Sequence, residues 1–189
     1  MLRRLRARYP AIELVVVTGN SREVASAVAA NQLDLAVVTL PVSARALAVE
    51  PLRVDSLVAI APAGRQWRRR APFTPAELSR HPLILYERGG NIRQVIDEWF
   101  RKAGATPRVA MELGNAEAIK KLVGAGLGLS LASAMAVAAE VKAGVLSAIP
   151  LSPPLARRLA LIRRRDKPDT PALRVVLAAL ATLKPRPRP

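Results

Sequence analysis

Apolar positions recur along this chain with two spacings, and the alternation between them sketches the fold. Short aliphatic, β-branched runs predict strands: ELVVV (13–17), LDLAVVTLP (33–41), PLRVDSLVAIAP (51–62), PLILYE (82–87), RVAMEL (108–113), VLSAIPL (145–151) and RRLALIRR (157–164). The first reads as a buried strand, and 51–62 as one strand or two. Between them, three- and four-residue spacing predicts helices. REVASAVAANQ puts Val24 and Val28 on one face, and GNIRQVIDEWFRKA aligns Ile92, Val95, Ile96, Trp99 and Phe100 before Gly104 stops it. NAEAIKKLVGA, a stretch around 132–142 and TPALRVVLAALATL continue the series. Thr74, Pro75 and Glu77 have the spacing of a capping box at the start of a short helix. GRQWRRRAP reads as a connection, and the tail KPRPRP as disordered. Repeated strand–helix units predict an α/β protein with a mostly parallel, doubly wound sheet, whose ligands lie outside the carboxyl ends of the strands.

The stretch KKLVGAGLGLSLASAMAVAA (120–139) follows two lysines with eighteen uncharged residues and three glycines. It fits neither GxGxxG nor GxxxxGK followed by Ser or Thr, and it follows a helix where phosphate loops precede one. Gly124 and Gly128 form GxxxG within eighteen uncharged residues, but the segment is weakly apolar and lacks aromatic anchors, which disfavours a membrane span. Gly126 is expected to end a helix in the left-handed conformation, and Gly128 to open a short strand, GLSL.

Composition narrows the chemistry. The 189 residues include 51% hydrophobics but only two each of Phe, Tyr and Trp, so the core is aliphatic. With no cysteine and one histidine, thiolate chemistry and sulfur-ligated zinc are excluded, and no ligand spacing for a metal or cofactor is present. No GxSxG elbow occurs, and His81 sits at a helix end where capping is its ordinary role. No catalytic residue is therefore assigned, and the chain is not expected to be an enzyme. The formal net charge is +16, and Arg outnumbers Lys 24 to 6. The basic clusters Arg3, Arg4, Arg6, Arg8; Arg68 to Arg70; Arg157, Arg158; and Arg163 to Arg165 read as solvated surface, without aromatics to stack on bases. A basic, nonspecific nucleic-acid-binding or scaffold protein is the alternative that this charge keeps open. The N-terminus lacks an apolar run after its basic start, so a cytoplasmic protein is expected.

Three strand–helix junctions are polar and rich in glycine: Thr18-Gly19-Asn20-Ser21, Gly89-Gly90-Asn91 and Gly114-Asn115. Helix starts present free N–H groups and partial positive charge, so several of them would suit a carboxylate or phosphate, while each taken singly is also an ordinary N-cap. Arg93, in the first turn of its helix, opposes the helix dipole, which a bound anion would explain and an ordinary surface arginine would equally fit.

RYPAIELVVVTGNSREVASAVAANQLDLAVVTLPV, LILYERGGNIRQVIDEWFRKAG and MELGNAEAIKKLVGAGLGLSL together resemble the effector-binding domain of LysR-type transcriptional regulators. The resemblance spans nearly the whole chain. It implies a type 2 periplasmic-binding-protein-like fold of two doubly wound α/β lobes with a small effector in the cleft between them. Lobe I would comprise 1–61 and 166–189, lobe II would be 62–165, and the crossover strands would fall near 58–64 and 160–166. Effector-binding positions carried over are Thr18, Asn20, Ser21, Thr39, Pro41, Asn115 and Ala116, with Arg93 at a basic position that some relatives use for anionic effectors; Asn91 joins them from the junctions. The partners implied are a small organic, anionic effector, further copies of the chain in a homo-oligomer, and DNA reached only through an N-terminal winged helix-turn-helix. Neither that domain nor the first strand of lobe I is in this sequence, so a fragment is expected, working by coupling effector binding to transcription control.

Overall fold

The computed structural model describes residues 2–42, 45–67 and 71–183. Seven strands and seven α-helices occur among them: α1 (Leu2–Arg8), α2 (Ser21–Ala29), β1 (Leu35–Thr39), β2 (Leu47–Pro62), α3 (Pro75–Leu78), β3 (Leu83–Tyr86), α4 (Asn91–Lys102), β4 (Val109–Leu113), α5 (Ala116–Gly124), β5 (Ser130–Ser133), α6 (Ala138–Lys142), β6 (Leu146–Ile149), β7 (Leu155–Arg164) and α7 (Pro171–Ala181). Arg68 to Arg70 and the KPRPRP tail lie outside the described residues. None of the described helices is long and apolar enough to cross a membrane.

The chain divides into two compact units, Met1–Arg53 with Arg158–Pro189, and Val54–Arg157. The divisions fall inside β2 and β7.

In the first unit β1 and β7 pair antiparallel, from Leu35 opposite Arg163 to Thr39 opposite Leu159. Alternate positions of β1, Ala36 and Val38, join Ala25 and Val28 of α2, Leu47 and Ile162 in one core, as the period-two and period-3.6 patterns require. The expectation for 13–17 is corrected here. These residues form no strand, and Val15, Val16 and Val17 are 76%, 65% and 57% exposed. β-propensity describes how a side chain packs on a pleated surface, and no described segment provides a ladder for this one.

In the second unit β3 and β4 pair parallel, while β5 and β6 both pair antiparallel with β2. The sheet is therefore less uniformly parallel than the strand–helix alternation predicts, because the sixteen-residue β2 is a single strand that receives both. The aliphatic core is broad: Leu57, Leu83, Leu85, Ile96, Phe100 and Leu131 lie in one cluster, and Ile60, Ile84, Ile119, Val123 and Leu146 in another. Trp99 Nε1 donates to Pro153 O at 2.8 Å. The capping box of α3 is complete, with Glu77 N donating to Thr74 Oγ1 and Thr74 N to Glu77 Oε2. The helix expected around 132–142 is shorter, since residues up to Ser133 are taken into β5 by pairing with β2. Gly126 has φ +82° and ends α5 as expected.

Candidate functional site

In the first unit, the start of α2 and the end of β1 meet. Asn20 caps α2, its Oδ1 accepting from Arg22 N at 3.1 Å and Glu23 N at 2.9 Å. Ser21 Oγ accepts from Thr39 N at 3.0 Å, which fixes the helix start against the carboxyl end of the strand. Thr39 is buried, and Leu40-Pro41, a cis peptide, follows it, with Leu40 N donating to Arg158 O at 2.9 Å. Thr18, two residues before the cap, is exposed and outside any helix or strand. Asn20, Ser21 and Thr39 are thus brought together, with Pro41 and Thr18 at the margins.

In the second unit, β4 ends at Leu113 and Asn115 caps α5, its Oδ1 accepting from Glu117 N at 2.8 Å and Ala118 N at 3.4 Å. Asn115 is exposed and Ala116 half-buried. Asn91 is the buried first residue of α4, and Gly90 is the cap, without a side-chain bond.

Arg93 departs from expectation. Its side chain is only 3% exposed, and Nε meets Asp97 Oδ1 at 2.8 Å while Nη1 meets Glu112 Oε1 at 3.0 Å and Tyr86 O at 2.6 Å. Burial works against its charge, but the bonds to Asp97 and Glu112 outweigh that and raise its pKa; the same contact holds Glu112 below the usual carboxylate range. The protein therefore supplies the anions itself, and Arg93 is a strut joining α4, β3 and β4. An anion bound from solution is not needed to explain it. His81 likewise does not cap through its ring, which packs edge-on to Trp67 and Phe73 with centroids 5.5 and 6.0 Å away.

A polar group that sequence reading missed lies deeper. Asp55, 1% exposed, accepts from Ser133 Oγ at 2.9 Å and pairs with Arg157 Nε at 2.7 Å. Arg157 is thus not the solvated surface residue its cluster suggested. Lys120, also buried, meets Glu140 Oε1 at 2.5 Å, Glu117 Oε1 at 2.8 Å and Ala136 O at 3.1 Å. Burial lowers its proton affinity, yet the two carboxylates prevail and raise its pKa, while Glu140 is held low by Lys120. Tyr86 stands near these charges; burial pushes its phenol up, partly offset by Arg157 and Lys120. A lone acid in the apolar run VDSLVAIA and the i,i+3 spacing of Glu117 and Lys120 were the available signals.

Residues 1–184 match the family described as LysR substrate binding domain. The HTH-type transcriptional regulator CbbR of Xanthobacter flavus is 35% identical over 170 residues, covering 88% of this chain and 51% of that protein. The regulator YeiE of Escherichia coli K12, itself uncharacterized, is 36% identical over 176 residues, covering 92% and 59%. The chain spans about half the length of the curated relatives it matches. Among solved structures, the Synechocystis PCC6803 CcmR regulatory domain in complex with 2-PG superposes with a TM-score of 0.85 at 23% identity, covering 97% of this chain and 88% of that one. The effector-binding domain of QuiR in complex with shikimate gives 0.79 at 14% identity, covering 96% and 88%. These likenesses favour a regulator's sensor domain over a basic nucleic-acid binder or scaffold.

Proposed function

The chain belongs to the LysR substrate-binding-domain family, with its periplasmic-binding-protein-like type 2 fold, and from that premise we propose that it senses a small organic anion and reports its presence to transcription. The observation that carries this reading is the pair of exposed, asparagine-capped helix starts, Asn20-Ser21 beside Thr39 and Asn115-Ala116 after β4, each at the carboxyl end of a strand. With the next two N–H groups of each helix taken by its cap, such sites offer the first helical N–H and partial positive charge to carboxylates and phosphates. Ligands of this kind, 2-PG and shikimate, are held by two domains of the same fold. The proposed contact residues are Thr18, Asn20, Ser21, Thr39, Pro41, Asn115 and Ala116. Asn91, at the start of α4, joins them, while Arg93 is left out because Asp97, Glu112 and Tyr86 O already hold its guanidinium.

The action is binding without catalysis. An effector that prefers one of two arrangements of the domain shifts their populations by its difference in affinity. In the whole regulator a homo-oligomer would pass that shift to a DNA-binding domain, and the protein would work in the cytoplasm, where the DNA is.

Thermal-shift measurements on the 189-residue chain with 2-PG, shikimate and a panel of small organic acids test the reading. At least one acid should raise the melting temperature, since ligand at about a hundred times Kd adds about 2.7 kcal/mol. Asn115→Ala and Ser21→Ala should each weaken that response. A panel in which no acid stabilises the chain, or a response indifferent to both substitutions, refutes it.

A further inference from the structure

Lys120 carries three ammonium donors, and all three are engaged: by Glu140 and Ala136 O behind it, and by Glu117 in front. The partners differ in exposure. Glu117 is 69% exposed and Glu140 27%, while the Lys120 side chain itself is 9% exposed. Glu117 belongs to the first turn of α5, so its contact with Lys120 ties the ammonium to the turn that follows the Asn115-Ala116 start. Of the two carboxylates, that of Glu117 is the more readily returned to solvent, but the buried ammonium it leaves would then require another anion in its place.

Behind Lys120 the bonds continue. Ala136, whose carbonyl it holds, donates its N–H to Ser133 O at 3.0 Å, closing the turn after β5. Ser133 Oγ donates to Asp55, whose other carboxylate oxygen takes Arg157. Asp55 and Arg157 stand at the two ends of the second unit, next to where β2 brings the chain in and where β7 takes it out. Buried charges are costly unless paired, so this series has few alternative arrangements.

We propose that the anionic group of the effector takes the place of the Glu117 carboxylate on Lys120, and that the bonded series through Ala136 and Ser133 carries this exchange to Asp55 and Arg157. This rests on the effector reading above and gives it a selecting residue: Lys120 requires an anion, and Glu117 sets the threshold that the anion must exceed. Asp55 and Ser133 belong to the relay and not to the binding contact: they receive the exchange from Lys120 through Ala136.

The test is titration calorimetry of the whole chain with 2-PG, shikimate and inorganic phosphate. Glu117→Ala, an exposed change, removes the competitor and should tighten at least one of the three about three- to tenfold, an effect that shrinks at high salt. Lys120→Met would leave the half-buried Glu140 unpaired, so Lys120→Met with Glu140→Leu is used instead; it should abolish the binding seen in Glu117→Ala. In hydrogen exchange, that ligand should change protection at 54–56 and 156–158, and Ser133→Ala should remove this distant change while leaving binding within about twofold. If Glu117→Ala binds none of the three more tightly than wild type, or the double variant still binds, the exchange is wrong. Unaltered distant protection in wild type overturns the relay. The effector reading is judged separately, on the wild-type response to the wider panel of acids.

Discussion

Gly128→Ala tests the close approach of two chain segments in the second unit. A Cβ built on Gly128 would lie 2.7 Å from Pro82 O and 3.2 Å from Ile84 Cγ1. The first contact is about half an ångström too short, and it is to backbone, which cannot rotate away. That backbone is held in place, because Leu129 N donates to Pro82 O at 2.9 Å and Ile84 N to Leu129 O at 2.8 Å. Forcing β3 from Gly128 costs about 1–3 kcal/mol in overpacking and strains two hydrogen bonds with a net worth of about 1 kcal/mol each, so about 3 kcal/mol is expected. For a unit of this size that lowers the melting temperature by roughly 14 °C. The neighbouring glycines are internal controls. Gly126 has φ +82° and open space around it, so alanine there costs about 1 kcal/mol of backbone strain. Gly124 ends α5, its nearest neighbours being Leu146 and Val145 at 3.7 Å, and alanine there should be neutral or gain up to about 1 kcal/mol. Both tryptophans, Trp67 and Trp99, belong to the second unit, so urea unfolding followed by their fluorescence reads the series there. The reasoning fails if Gly128→Ala stays within about 0.5 kcal/mol of wild type, or if Gly124→Ala is the more harmful change.

Arg93→Ala should destabilise the second unit by about 3 kcal/mol in the absence of any ligand, since it strips Glu112, Asp97 and Tyr86 O of a buried partner; Arg93→Lys, which lacks the planar fork, should recover less than half in the same urea assay. Val16→Lys should shift thermal stability by less than about 0.5 kcal/mol because the side chain is already 65% exposed, whereas a core strand position would lose several. Asn20→Ala removes two capping bonds and should cost about 1 kcal/mol, visible as faster amide exchange at Arg22 and Glu23. Glu112 and Glu140 are held below the usual carboxylate range by Arg93 and Lys120. Their contribution is therefore complete above the ordinary glutamate range and is lost as pH falls through their lowered values. Tryptophan-monitored stability should hold from pH 7 to 5 and decline below about pH 4, and Glu112→Gln should flatten part of that decline.

Local chemistry made much of this fold legible. Capping residues at Thr74, Asn20 and Asn115, the apolar stripe of Ile96, Trp99 and Phe100, and the stop at Gly126 all follow from short-range backbone and packing rules, and the structure bears each out. The family resemblance was equally readable, because motif order along a chain survives without coordinates. Partners distant in sequence decided the rest. ELVVV has every local property of a buried strand, yet its three valines lie exposed, because a strand requires a ladder from elsewhere. Arg93 read equally as an anion site or as a surface arginine, and it is neither exposed nor unpaired once β4 brings Glu112 to it, 19 positions on. Asp55 meets Ser133 and Arg157 across 78 and 102 positions. The sequence by itself determined which helices and turns would form and which family they compose. Only the tertiary structure decided which charges are already paired, because the energy of a buried charge depends on what surrounds it in space and not on its neighbours along the chain.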